Sequence, residues 1–71
     1  MKAKLSDYNR EQRRVVRKAL QEAKADGIDR WVCWNYDGNL CYTDHPERAE
    51  DMCCIATCHP DGTIDYGFVF E

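Results

Sequence analysis

The spacing of the apolar residues changes once along this chain, near Gly27, and that change limits the folds open to it. Before Gly27 the apolar residues recur every three or four positions, which is the period of a helix with one buried side. Ser6 or Asp7 can cap the start of this helix, and a glycine commonly ends one. The sequence therefore predicts a helix over about residues 7 to 25, with a buried side made of Tyr8, Gln12, Val15, Val16, Ala19, Leu20 and Ala23.

After Gly27 the apolar residues alternate with polar ones, as they do in the strands of a sheet. Tyr36-Asp37-Gly38 and Pro60-Asp61-Gly62 are turn sequences, because glycine supplies positive φ and proline presets the bend. They predict hairpins over about residues 30 to 43 and 52 to 70, in registers that pair Val32 with Tyr42 and Ala56 with Tyr66. Between the hairpins, residues 45 to 51 begin with a proline-containing first turn and predict a short helix.

Together these elements predict an α+β fold, in which one N-terminal α-helix packs on a four-stranded antiparallel sheet in the order α-β-β-short α-β-β. The 71 residues leave room for a single domain, residues 1 to 71, with one core. Alternation places Trp34 and Phe68 under the helix, together with Val32, Leu40, Tyr42, Met52, Cys54 and Tyr66. One helix cannot also cover the opposite face, which carries Trp31, Cys33, Cys41, Cys53, Ile55 and Val69.

An uncovered apolar face is a candidate interface, since monomeric proteins seldom expose large apolar patches and Trp is a frequent hot-spot residue. Acidic residues in the neighbouring turns and loops could meet a basic groove on a target. The predicted partner-binding residues are Trp31, Asn35, Asp37, Asp44, Glu47, Glu50, Asp51 and Ile55. A homodimer could also pair through this face; alternatively, residues 44 to 51 or the terminal segments fold over it and bury it.

Charge is divided unevenly between the predicted helix and the rest of the chain. Residues 1 to 25 carry eight Lys and Arg against three acids, a net +5, whereas residues 26 to 71 carry two Arg against ten acids, a net −8. Basic residues at helical spacing could follow a phosphate backbone, and the alternative nucleic-acid-binding set is Arg10, Arg13, Arg14, Arg17 and Lys24. A pI near 5.3 and the lack of a nucleic-acid-binding motif argue against direct binding.

Five cysteines and two histidines raise the question of zinc. The nearest ligand spacing is Cys54-x3-Cys58-His59, but Cys54 and Cys58 would lie about 13 Å apart along a strand that rises about 3.3 Å per residue. That separation is too long for one ion. The sequence therefore predicts reduced, buried thiols, with neither a metal nor a cofactor. The second alternative is a zinc-stabilised domain, in which Cys41 and His45 would be further ligands.

Catalysis is not predicted. Cys58 and His59 are neighbours in sequence but point to opposite faces of a strand, so His59 cannot act as a base for the thiol. Asp61 belongs to a turn, and the geometry of the turn explains why an aspartate occurs at this position. The chain has no apolar run long enough to span a bilayer and no signal-peptide core, which predicts a cytoplasmic protein without membrane partners.

In its size, divided charge, exposed aromatic patch and lack of a catalytic signature, the chain resembles the small inhibitors that phages and mobile elements make against host defence, anti-CRISPR proteins among them. The resemblance implies a non-enzymatic inhibitor that binds a host protein or protein complex and blocks its nucleic-acid-binding site. The alternative from the residues themselves is a small nucleic-acid-binding or regulatory module that uses the basic helix.

Overall fold

A computed structural model describes residues 1 to 70 of the chain. Within them lie five strands and two α-helices: β1 (Lys2–Ala3), α1 (Arg10–Asp26), β2 (Arg30–Trp34), β3 (Leu40–Thr43), α2 (Pro46–Glu50), β4 (Cys53–Cys58) and β5 (Ile64–Tyr66). A 3-10 turn over Leu5–Asp7 precedes α1. The fold is α+β, as predicted, with one strand more than the four expected.

Helix α1 begins three residues later than predicted, because neither Ser6 nor Asp7 is its cap. The Asp7 carboxylate instead accepts from the Lys4 amide at 2.8 Å and closes the 3-10 turn. Asn9 caps α1: its side chain accepts from the Gln12 amide at 2.8 Å, and the Gln12 side chain accepts from the Asn9 amide at 3.0 Å. Gly27, at φ 75°, ends the helix in the left-handed conformation.

The strands form one antiparallel sheet in the order β1-β5-β4-β2-β3. Both predicted hairpin registers are confirmed, since Val32 pairs with Tyr42 and Ala56 pairs with Tyr66. The extra strand, β1, pairs with β5 through Lys2 and Ala3. Because a strand of two residues is too short to produce a periodic pattern, β1 could not be predicted from the sequence.

A β-bulge at Ile55 reverses the faces of the first half of β4. Val32 pairs with Ala56, but the next residue, Cys33, pairs with Cys54, which leaves Ile55 as an extra residue. Ile55 consequently packs on the helix side of the sheet, and Cys54 lies on the other side. The predictions that Ile55 faces outward and that Cys54 faces the helix are wrong.

The first core lies between α1 and the sheet. Its buried residues are Tyr8, Val16, Ala19, Leu20, Val32, Ala56, Cys58 and Ile64. Both the helix and the strands contribute small as well as branched side chains, and these pack together between the two layers. Trp34 was predicted to be a core residue here, but it is only partly buried and belongs to neither core.

The second core lies on the opposite face, beneath α2 and residues 67 to 70. It contains Trp31, Cys33 and Ala49, with Met52 and Cys54 packed against them. Trp31 is only 2% exposed. The face predicted to be open is therefore covered, as in the alternative in which residues 44 to 51 and a terminal segment fold over it. Because this face is covered, the predicted homodimer cannot form through an open sheet face.

The C-terminal segment leaves the sheet because of Gly67. Strand β5 ends at Tyr66, and Gly67 takes a φ of 67°, which turns the chain across the covered face. The second hairpin is consequently shorter than the predicted residues 52 to 70. Phe68 lies over Trp31 rather than under α1, so its predicted place in the helix-side core is wrong.

Candidate partner-binding surface

Two phenylalanines form an exposed aromatic patch above Trp31. The Trp31 ring centroid lies 6.0 Å from that of Phe68 and 5.9 Å from that of Phe70. Phe68 is 37% exposed and Phe70 is 62% exposed. Trp31 is therefore the buried support of the patch, and the two phenylalanines present its outer surface.

One hydroxyl holds this segment against the sheet. Thr57 Oγ1 donates to the Gly67 carbonyl at 2.8 Å and accepts from the Val69 amide at 3.0 Å. The Trp31 indole N–H donates to the Val69 carbonyl at 3.0 Å. These bonds fix the backbone on either side of Phe68, and the position of the two rings follows from them.

Helix α2 borders the aromatic patch with carboxylates. Glu47 and Glu50 line a shallow depression together with Pro46, Phe68 and Phe70. We call these five residues the acidic aromatic surface. Asp44 lies before α2 and Asp51 caps its end, and both residues are exposed. The Tyr36 hydroxyl donates to the Asp51 carbonyl at 3.3 Å, and this bond joins the β2–β3 turn to the end of the helix.

The structure divides the predicted partner-binding residues into two groups. Five acids are exposed: Asp37, Asp44, Glu47, Glu50 and Asp51. Asn35 is half-buried, and its side chain accepts from the Asp37 and Asn39 amides at 2.9 and 3.0 Å, so it shapes the turn. Trp31 is buried in the second core and Ile55 is half-buried against the first, so the prediction that both belong to an open outer face is wrong.

Sequence reasoning missed Phe68 and Phe70 as surface residues. Alternation with Tyr66 indicated a strand that continues to residue 70. The one contrary signal was Gly67, because a glycine inside a strand pattern often marks a bend or a bulge.

The basic residues of α1 form a second charged surface on the other side of the sheet. Arg10, Arg14, Arg17 and Lys24 are exposed, and no carboxylate of residues 1 to 70 lies within 4.0 Å of their charged groups. Arg13 differs, since it is partly buried and donates to the Tyr8 carbonyl at 2.7 Å. A shallow groove along this surface is lined by Leu5, Arg14, Arg17, Lys18, Leu20, Gln21 and Lys24.

His59 is held between two carboxylates at the end of β4. Its Nδ1 lies 3.1 Å from Asp29 Oδ1, and its Nε2 lies 2.7 Å from Asp65 Oδ2. Cys58 Sγ faces the helix side instead, 4.0 Å from the Val16 carbonyl. Burial raises the pKa of Cys58 to about 12, which keeps it a thiol. The two neighbours therefore do not form a nucleophile and base pair.

The part of the chain that the structure describes brings no three Cys, His, Asp or Glu side chains together as a set able to hold a metal ion. Residues 1 to 70 also include no helix with the length and apolar character needed to cross a bilayer.

Comparison with known proteins found no significant match to a family model, a curated protein or a solved structure.

Proposed function

We propose that this protein is a small, cytoplasmic, non-enzymatic inhibitor that binds a host protein or protein complex through its acidic aromatic surface. In this proposal it is an anti-defence protein of the anti-CRISPR kind, made by a phage or mobile element, and it blocks a nucleic-acid-binding site. The observation that carries the proposal is the exposure of Phe68 and Phe70 directly beside Glu47 and Glu50.

Each half of this surface has a physical role in binding. Aromatic side chains that become desolvated at the centre of an interface supply most of its binding energy. Carboxylates at the rim steer the protein toward a basic target and select against acidic ones. A groove that binds nucleic acid is basic, so the exposed acids Asp44 and Asp51 at the two ends of α2 favour the same class of target.

Capture from a host lysate followed by mass spectrometry tests the proposal. The wild-type protein should retain a nucleic-acid-binding partner and should reduce the binding of nucleic acid by that purified partner. A Phe68→Ala, Phe70→Ala variant should lose both effects. The control is Ile28→Ala, which removes an exposed apolar side chain outside this surface and should keep them. A partner retained equally by all three proteins would contradict the proposal.

A second candidate function is nucleic-acid binding through α1. The observation that favours it is the set of exposed, unpaired cations at helical spacing, Arg10, Arg14, Arg17 and Lys24. Phosphate contacts release counterions, so binding to DNA or RNA should fall steeply with salt. Titration of labelled single- and double-stranded DNA and RNA at low and high salt tests it. The absence of binding at low salt would exclude this candidate.

A further inference from the structure

Three cysteines lie side by side across the central strands, on the face beneath α2. Cys33 of β2 has Cys41 of β3 as its cross-strand partner on one side and Cys54 of β4 on the other. Directly opposed residues in an antiparallel sheet point to the same face, so all three thiols share that face. The bulge at Ile55 is what brings Cys54 there, because a regular strand would have placed it on the helix side.

Of the two pairs, Cys33 and Cys54 have the closer backbone geometry. The Asn35 amide donates to the Asn39 carbonyl, which fixes the hydrogen-bonded pairs of the β2–β3 ladder and makes Cys33–Cys41 one of them. The backbone groups of Cys33 therefore point toward β3. Cys33–Cys54 is left as a non-hydrogen-bonded pair, the type whose Cα atoms lie about 4.5 Å apart. Both types of pair fall within the Cα separation of about 4.4 to 6.8 Å that a disulfide needs. Cys54 packs in the second core with Cys33, whereas Cys41 is not part of that core, and this distinguishes the Cys33–Cys54 pair.

The two thiols also share the second core, where Cys54 packs against the cluster that contains Cys33. The Cys54 Sγ lies 3.4 Å from the Ala56 carbonyl oxygen and 3.5 Å from that of Gly67. Interaction with Cys33 lowers the pKa of Cys54 against the opposing effect of burial, and it raises the pKa of Cys33. Cys33 is fully buried and Cys54 is partly exposed. Cys54 is thus the thiol that a small oxidant can reach, and Cys33, its cross-strand partner, is in place to react with the product.

We propose that Cys33 and Cys54 are a redox-active pair that hydrogen peroxide converts into a cross-strand disulfide. The Cys54 thiolate attacks one peroxide oxygen, the O–O bond breaks, and hydroxide leaves, which gives a sulfenic acid. The Cys33 sulfur then attacks the Cys54 sulfur, the S–O bond breaks, and water leaves. In sum, two thiols and one peroxide give one disulfide and two waters; sulfur is oxidised and oxygen is reduced. This inference does not depend on the proposed function.

Thiol mapping of the wild-type protein tests the proposal. The protein is treated with stoichiometric hydrogen peroxide, then unfolded and blocked with N-ethylmaleimide in denaturant so that buried thiols also react, and analysed by mass spectrometry before and after reduction with dithiothreitol. The label count should fall by two from the five free thiols of the untreated protein and return on reduction. Cleavage after Arg30 and Arg48 separates Cys33 from Cys54, and fragmentation of the joined peptides should identify those two residues.

Variants provide a second, independent measurement. Cys54→Ser should abolish the loss of two labels, whereas Cys53→Ser, a change at the adjacent exposed cysteine, should leave it intact. A disulfide between Cys33 and Cys41, a dimer linked through Cys53, or five unchanged thiols after treatment would each overturn the proposal. Because the mapping uses the wild-type protein, it stays decisive if a buried variant fails to fold.

Discussion

At the scale of single residues, His59 is the side chain whose hydrogen bonds depend most directly on its protonation state. Both of its ring nitrogens face carboxylate oxygens, yet a neutral imidazole carries only one N–H and can donate to only one of them. Only the protonated ring, the imidazolium, can donate hydrogen bonds to Asp29 and Asp65 at the same time. Burial opposes the charged form, but the two carboxylates outweigh it and raise the pKa of His59, while the hydrogen bond from His59 lowers that of Asp65.

These shifts predict how stability depends on pH. Because the folded pKa of His59 is raised, its contribution is fully present below the unfolded pKa of about 6.5 and is lost as the pH rises through the folded value. Asp65 behaves oppositely: its contribution is present above its unfolded pKa and is lost as the pH falls through the folded one. Urea unfolding between pH 5.5 and 8.5 should therefore show stability that declines at the alkaline end.

Two histidine variants provide the comparison. His59→Gln should remove most of this decline, whereas His45→Gln, at an exposed histidine, should retain it. Equal pH profiles for His59→Gln and the wild type would show that the two carboxylates do not act through His59.

The burial of Trp31 gives a second prediction at this scale. Trp31→Ala should lower the free energy of unfolding by about 3 to 5 kcal/mol, since it removes a buried ring together with the support for Phe68 and Phe70. Tyr36→Ala, at a residue that is 86% exposed, should change it by less than about 0.5 kcal/mol. Chemical denaturation measures both. A Trp31→Ala protein of wild-type stability would contradict the second core.

At the scale of elements, the turns were predictable from sequence and the irregular strand was not. Asp37-Gly38 and Asp61-Gly62 set both hairpin registers through local backbone chemistry, and both registers were right. The bulge at Ile55 depends on how β4 pairs with β2, a contact between distant parts of the chain. Alternation alone could not locate it, and every face assigned in β4 before Ala56 was consequently reversed.

Gly67 gives a prediction at the scale of elements. Gly67→Ala places a side chain at a φ of 67°, which should cost about 1 to 2 kcal/mol and loosen residues 67 to 70. Gly38→Ala is the matched control, since Gly38 has a φ of 81° in a turn away from Trp31. Both variants should be destabilised, but only Gly67→Ala should make Trp31 more accessible to acrylamide, measured by fluorescence with Trp34→Phe as the background. Equal quenching in the two variants would contradict the role of Gly67.

At the scale of the whole molecule, the sheet separates two surfaces of opposite charge. The exposed cations of α1 lie on one side, and the exposed acids around α2 lie on the other. The order of charges along the sequence predicted a basic helix and an acidic remainder, whereas their placement on opposite sides of the sheet comes from the structure. The aromatic part of the candidate site was not predictable, because Trp31 looks like a surface residue until α2 and residues 67 to 70 are placed over it.

Charge reversal on each surface should have different effects on partner binding. Glu47→Lys with Glu50→Lys should weaken binding about tenfold at low salt and less at high salt, since the loss is electrostatic. Arg14→Glu with Arg17→Glu should change it little. Titration of the identified partner by calorimetry at two salt concentrations measures both. A large loss confined to the arginine variant would reject the acidic aromatic surface and favour nucleic-acid binding through α1.

The double role of the Thr57 hydroxyl has a consequence for local motion. Residues 67 to 70 are attached through that hydroxyl, the Trp31 indole, the Gly67 amide and two exposed rings, whereas α1 is fixed by a continuous buried core. The segment can therefore detach in a sub-global opening that leaves the helix and its core in place. In native-state hydrogen exchange the Val69 amide should exchange far sooner than the amides in the middle of α1, so the aromatic rings belong to a layer that is less protected than the helix-side core.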